Sequence, residues 1–330
     1  MESVPFSAFA ADREKQARLT NNFLSDISAV KKYLEDSAVT DIFVIGSGEI
    51  VINVFAKGKV FTGEKLSPSK VRGIILSAAA LLDKQIDPVG GLPKLEAVIP
   101  PPYNARITGL LPPWVEVPQL TFRKPPKEVF SLESYVESGR MKLSEYEIIC
   151  SCVRDRKNIL IGGGTGSGKS TFTNAVIRKM TEYTPDDRFY IVEDVPELQC
   201  SARDSTMVSV NPKDAAEAIR TALRWTPDRI IFGEIRYGEV ANEYIKALNT
   251  GHTGSVTTIH ADSCASMLSR MEDLLREVIQ GLIPRLSDTI HLCVHMAGGL
   301  NGPHVDGVMP TGELNPVASS SVEGKMAVFA

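Results

Sequence analysis

Eight consecutive residues, Gly163-Gly164-Thr165-Gly166-Ser167-Gly168-Lys169-Ser170, follow the apolar run Asn158–Ile161 and precede Thr171 and a helical pattern that runs to Met180. They satisfy G-x-x-x-x-G-K-[ST] between a strand and a helix, the context in which that pattern grips phosphate. Glycines let the backbone curl until its N–H groups face the phosphate oxygens, and the following helix adds its positive end. In such a loop Lys169 reaches the β and γ phosphates, Ser170 ligates Mg²⁺ and Thr171 adds a hydroxyl at the α-phosphate. The loop alone fits kinases, GTPases, helicases and transport motors. No N-K-x-D or T-K-x-D sequence follows it, which weighs against a GTPase.

Cutting the γ-phosphate requires a carboxylate that orients and deprotonates water. Two stretches can supply one. FYIVEDVPEL places Glu193, Asp194 and Glu197 after a buried strand, and DRIIFGEIR, Asp228 to Arg236, places Glu234 at the end of another. A carboxylate at Glu234 can hold Mg²⁺, commonly through water, or polarise the attacking water. Spacing leaves open which of Glu193 and Glu234 is the base. GHTGSVTTIHADS puts His252 before and His260 after a third strand, so His260 emerges at the same sheet edge as Glu234, within reach of a γ-phosphate through a ring N–H. Arg106 and Arg123 lie outside this region. Alone each reads as a surface arginine, but hydrolysis often requires an arginine to neutralise developing charge, and one brought by a moving domain makes cleavage conditional on geometry.

Short apolar runs suited to buried parallel strands, Asn158–Ile161, Phe189–Val192, Ile230–Phe232 and Val256–Ile259, alternate with helical segments, so a wound α/β domain must carry these groups. Before it, an amphipathic helix is expected from about Asp12 through Leu34, then a hairpin around Gly46-Ser47-Gly48 and a helix from Ser67-Pro68 to Asp87-Pro88. Further short strands to Leu111 complete a small α+β domain over 1–111. Five prolines between Pro112 and Pro126 mark 112–130 as a stiff interdomain linker with one strand at Leu120–Arg123. Residues 131–330 form the nucleotide domain. It is expected to open with a helix capped by Ser144 and Glu147 and to close in a weakly structured tail from Ala297.

Composition narrows the function further. With 36 Lys and Arg against 40 Asp and Glu the 330-residue chain has net charge −4 and no basic run, so composition does not support direct nucleic-acid binding. The five cysteines lack metal-ligand spacing and read as reduced thiols of a cytoplasmic protein. The longest weakly polar run, Gly73–Leu82, is about half of the ~20 residues that span a bilayer, so any membrane association is expected to be peripheral.

The order of four boxes, phosphate loop, IVEDVPEL, RIIFGEIR and GHTGSVTTIHADS, resembles the Walker A, Asp box, Walker B and His box of the secretion ATPase superfamily of type II and type IV secretion, type IV pili and conjugation. RITGLLPP followed by a proline-rich connector and FRK is most similar to the TrbB-like conjugal transfer branch. The resemblance implies a homo-hexameric ring of subunits, each with an N-terminal domain and a RecA-like P-loop domain, serving inner-membrane components of a conjugative secretion apparatus from the cytoplasmic side. It places Glu193 in the Asp box, Glu234 in Walker B and His252 and His260 in the His box, and it matches Arg106 and Arg123 to arginines that the N-terminal domain and connector bring to ATP. Pilus or type II motors and RecA-like nucleic-acid translocases are the alternative members of this class.

Overall fold

Near-continuous apolar strands such as Ile159–Ile161 and Ile230–Phe232 have no polar face to give to water, so a sheet made of them must be covered on both sides. The computed structural model has that arrangement. It describes residues 6–54, 57–87, 92–125, 129–299 and 302–312, with 6–12 by backbone alone. The chain divides into two units, Met1–Lys127 and Glu128–Ala330.

In the first unit, helices α1 (Phe6–Asp26), α2 (Ser28–Glu35) and α3 (Pro68–Leu81) accompany strands β1 (Val39–Val44), β2 (Glu49–Val54), β3 (Gly58–Lys65), β4 (Lys94–Val98), β5 (Arg106–Leu110) and β6 (Gln119–Arg123). The strands form an antiparallel sheet in the order β3-β2-β1-β6-β5-β4. The single expected N-terminal helix is two, broken at Ile27, whose buried side chain joins Phe23, Val30 and Leu34 in the core. Helix α3 starts as its capping serine predicts, with Ser67 Oγ accepting from the Lys70 amide, but it stops at Leu81 rather than at Asp87. Asp83 adopts a left-handed backbone there, and the Lys84 amide turns back to the Ala79 carbonyl. Gly109 of β5 is required by close approach, since a Cβ at that position would fall 2.7 Å from Ile75 on α3. Strand β6, drawn from the proline-rich stretch, lies between β1 and β5.

The second unit contains α4 (Leu132–Glu137), α5 (Leu143–Arg154), β7 (Ile159–Gly163), α6 (Lys169–Tyr183), β8 (Arg188–Glu193), β9 (Asp204–Ser209), α7 (Ala215–Trp225), β10 (Arg229–Glu234), α8 (Gly238–Leu248), β11 (Val256–Ile259), α9 (Cys264–Arg276), β12 (Leu292–Ala297) and β13 (His304–Pro310). Its sheet runs β13-β12-β7-β11-β10-β8-β9, parallel except for the β12–β13 hairpin. Alternate strand residues feed two separate cores. Leu160, Tyr190, Val192, Ile230 and Phe232 pack with α7, α8 and α9, whereas Ile159, Ile161, Phe189, Ile191 and Ile231 pack with α4, α5 and α6. Cys150 and Cys152 are buried in the latter, as packing residues. The capping carboxylate of α5 is Glu145, which accepts from the Lys142 amide at 2.9 Å, and not Glu147. The tail expectation is corrected over 304–310, where β13 pairs along β12. The rest of the tail, from residue 313, lies outside the described residues.

Polar side chains stitch the amino edge of this sheet. Asn158 accepts from the Ser255 amide at 3.0 Å and donates to the Thr289 carbonyl at 2.7 Å, which joins the starts of β7, β11 and the approach to β12. Arg229, fully buried at the start of β10, donates to Asp187 Oδ2 at 2.8 Å, to the Gly254 carbonyl at 2.7 Å and to Thr184 Oγ1 at 3.1 Å. Removing one partner from such a buried ion pair typically costs about 3–5 kcal/mol, because the other is left desolvated. Arg229→Ala is therefore expected to lower the unfolding free energy by about that amount in urea titration, while Arg220→Ala, on the exposed face of α7, leaves it unchanged. Equal stabilities of the two variants would remove Arg229 from its structural role.

Candidate nucleotide site

The parallel strands bring chemistry to one edge. In the sheet Gly162 lies opposite Ile259, Thr258 opposite Glu234 and Val192 opposite Phe232. The phosphate loop, His260, Glu234 and Glu193 thus all stand at the carboxyl ends of adjacent strands, where ligands of open α/β sheets bind. His252 stands at the opposite end of β11, half-buried, with Nδ1 3.1 Å from Thr250 Oγ1.

The loop has the backbone that phosphate binding needs. Gly163 (φ 150°), Gly166 (φ 76°) and Gly168 (φ 85°) adopt conformations open to glycine, and a Cβ on Gly163 would meet the Met296 carbonyl oxygen at 2.3 Å. Gly164, Thr165 and Gly166 form the exposed crest. Lys169, the first residue of α6, is buried and lays its ammonium on the loop's own carbonyls, 3.0 Å from Gly163 O and 2.9 Å from Gly164 O. Burial pulls its pKa below that of an ordinary lysine, against the opposing fields of Glu234 and Glu197. Ser167 Oγ is buried and unpaired. A curled backbone, a lysine turned onto it and an orphaned hydroxyl fit a group of phosphate oxygens.

Ser170 Oγ donates to Glu197 Oε2 at 2.5 Å, and Thr171 follows it, half-buried, in the first turn of α6. Glu193 is 3% exposed, and its Oε2 accepts from the amides of Glu197 (3.1 Å) and Leu198 (2.9 Å). Burial pushes its pKa up to about 7, in spite of those two donors. Arg236 Nη2 donates to Glu234 Oε2 at 2.7 Å, and His260 Nε2 lies 2.8 Å from Oε1. The same guanidinium donates through Nη1 to Asp194 at 2.6 Å. Among the described residues no cluster of three or more His, Cys, Asp or Glu side chains could hold a metal.

Two contributors escaped the sequence reading. Arg236 stands in the quoted RIIFGEIR, two residues past Glu234, and its spacing was the available signal. Asn174, buried on α6, donates to the Glu197 carbonyl at 3.0 Å and accepts from the Gln199 amide at 2.8 Å, and nothing in its neighbourhood announces that clasp. Arg106 and Arg123 belong to the first unit, as register partners on β5 and β6. Asp41 of β1 is the next residue across, and Arg123 Nε donates to its Oδ1 at 2.9 Å.

A family model described as Type II/IV secretion system protein matches residues 87–295. The chain is similar to the conjugal transfer protein TrbB of Rhizobium radiobacter, 35% identical over 274 residues that cover 82% of this chain and 83% of that protein. It is similar also to the type IV secretion system protein VirB11 of Bartonella quintana, 28% identical with 83% and 90% of the two chains covered. Among solved structures, the ATPase DotB of Legionella pneumophila aligns with TM-score 0.63 at 21% identity, covering 87% of this chain and 81% of that one. The pilus retraction motor PilT with bound ADP aligns with TM-score 0.62 at 20% identity, covering 87% and 83%. At those identities the structures establish the fold alone, a secretion-ATPase fold with its RecA-like nucleotide unit. A phosphate loop, two acidic strand ends and a histidine on one sheet edge, the family match over 87–295 and the similarity to TrbB over four-fifths of the chain lead to one conclusion: the chain belongs to the type II/IV secretion system protein family.

Proposed function

We propose that the chain is a Mg²⁺-dependent ATPase that drives assembly or substrate transfer in a conjugative type IV secretion system, working as a homo-hexamer in which hydrolysis is coupled to motion between its two units. The observation that carries this reading is the convergence of Lys169, after the loop that follows β7, with Glu193 of β8 and Glu234 of β10 on one edge, in a chain whose relatives are named for conjugal transfer and type IV secretion. The loop amides and Lys169 bind the triphosphate. Ser170 and Glu234 would hold Mg²⁺, which when bound would neutralise charge on the β and γ phosphates. Glu193 is the general base, since a carboxyl with a pKa near 7 both ionises and takes a proton at cellular pH, whereas Glu234 is engaged by the Arg236 guanidinium. His260 contacts the γ-phosphate and Arg106 and Arg123 add positive charge, so the closed arrangement is favoured only while the γ-phosphate remains. The place of action is the cytoplasmic face of the inner membrane, beside the membrane components of the apparatus. None of the helices among the described residues is long and apolar enough to cross a bilayer.

Purified protein is expected to hydrolyse ATP with Mg²⁺, and Lys169→Ala to reduce turnover by at least a hundredfold, on the order of the loss of one preorganised cationic contact. Equal turnover in the variant would remove the phosphate-loop assignment. For Glu193 the sign follows from a folded pKa, about 7, above the ordinary 4.5. Between those values the folded state binds the extra proton, so this carboxyl's contribution to stability is complete below about pH 4.5 and is lost as pH rises through 7. Glu193→Gln should thus gain roughly 2–4 kcal/mol over the unsubstituted chain at pH 8 relative to pH 4.5, and lose both most turnover and its rise with pH around 7. An unchanged rate profile would exclude Glu193 as the base. Mass measurement with a non-hydrolysable ATP analogue should give six copies, and Arg106→Ala subunits doped into the ring should depress turnover more than in proportion to their share. A monomer under those conditions, or a strictly proportional loss, would contradict a ring with shared arginines.

A further inference from the structure

Glu193 closes β8, and the chain beyond it returns to α6, where Glu197 Oε2 accepts from Ser170 Oγ. Leu198 enters the core that contains Phe172, Ala175 and Val176 of the same helix. Three consecutive backbone amides of this return have side-chain acceptors. Those of Glu197 and Leu198 donate to Glu193 Oε2 at 3.1 and 2.9 Å, and that of Gln199 donates to Asn174 Oδ1 at 2.8 Å. Asn174 also donates from Nδ2 to the Glu197 carbonyl at 3.0 Å. A carbonyl only accepts and an amide N–H only donates, so these two partners fix which way the Asn174 amide faces.

Asn174 is 1% exposed, in the second turn of α6. Its neighbour Thr173 bonds within the helix, to the Lys169 carbonyl, whereas both ends of the Asn174 amide leave the helix for segment 197–199. The burial of Leu198 also holds that segment, but burial has no direction and cannot set the angle at which the backbone passes. The two hydrogen bonds of Asn174, on either side of Leu198, can. The angle matters because a carboxylate oxygen offers two lone pairs, and both of those on Glu193 Oε2 are met by amides of this segment. The oxygen left to take a proton from water is Oε1, and its direction follows once Oε2 is held.

We infer that Asn174 is a positioning residue for hydrolysis: by fixing segment 197–199 to the helix that begins at Lys169, it holds Glu193 and Ser170 in one arrangement relative to the phosphate loop. Asn174 acts through these groups and does not touch the reacting atoms. Glu193 takes its orientation from the Glu197 and Leu198 amides, and Ser170 meets the Glu197 carboxylate, so one buried amide sets both. Misplacement of a reacting group by about 1 Å can cost on the order of a hundredfold in rate.

The inference rests on Glu193 as the base, and the two are tested apart. In the full chain Asn174→Ala is expected to lower the turnover number for ATP by about ten- to a hundredfold, with KM for ATP and the calorimetric affinity for ADP changed by less than about threefold. The loop amides and Lys169, which bind phosphate, do not depend on segment 197–199. Asn174→Asp keeps an acceptor for the Gln199 amide and loses the donor to the Glu197 carbonyl, so its turnover should fall between the two. Unchanged turnover in Asn174→Ala, or a loss matched by equal losses in KM and ADP affinity, overturns the positioning role. Hydrogen exchange on the unsubstituted chain depends on no variant folding: the Leu198 and Gln199 amides should be protected to within about tenfold of those in α6. Exchange as fast as at the exposed loop crest overturns the clasp. Turnover retained by Glu193→Gln overturns the base reading and the role of Asn174 with it, whereas turnover retained by Asn174→Ala but lost in Glu193→Gln overturns the role of Asn174 alone.

Discussion

The site depends on strand register, and in a sheet buried on both faces register is not set by the usual rule. Where one face meets water, a slip of one residue exposes the apolar set and is strongly disfavoured. Here both faces are apolar, so polarity alone discriminates weakly between alignments. Directional bonds at the amino edge supply the missing constraint. Arg229 ties the start of β10 to the residues before β8 and β11, and Asn158 ties the start of β7 to those before β11 and β12. Five strands locked at their starts must finish in a fixed alignment, and it is at the finish of four of them, β7, β11, β10 and β8, that the loop, His260, Glu234 and Glu193 stand.

That carboxyl edge gathers four acids, Glu193, Asp194, Glu197 and Glu234, around Lys169, and such a concentration of like charge needs balance. Arg236 provides it by bridging Asp194 and Glu234. Burial provides the rest by raising the Glu193 pKa to about 7, so that the group is about half protonated at pH 7. Lys169 meanwhile rests on carbonyl dipoles and not on a full opposite charge. The lysine hydrogen-bonds two neutral acceptors and feels Glu234 and Glu197 only through their fields, so a polyphosphate that reaches the loop displaces no direct ion pair.

The strands and helices that carry chemistry were legible in the sequence because their signals are local: the glycine pattern, the apolar runs, the acids immediately after them. Ser67 as a cap and the hairpin at Gly46–Gly48 were legible for the same reason. What escaped depends on residues far apart in the chain. Strand β9 is half exposed and its burial alternates weakly, and β13 lies in a stretch rich in glycine and proline, so neither gives an apolar run, and both are built by pairing with a neighbour already in place. The end of α3 turns on a left-handed Asp83, a backbone choice that no proline or glycine marks. Arg123 was legible as an arginine of interest, but not its engagement by Asp41, which needs the cross-strand register of β1 and β6.

Asn174 has a mechanical consequence. Its amide grips the backbone on both sides of Leu198, through the Glu197 carbonyl and the Gln199 amide, while its own backbone belongs to α6. The helix that begins at Lys169 and the turn that presents Glu197 to Ser170 are thereby geared together. Fluctuations that open one must open the other, so a rotation of α6 by a fraction of a turn would carry the acidic turn along as a lever carries its load.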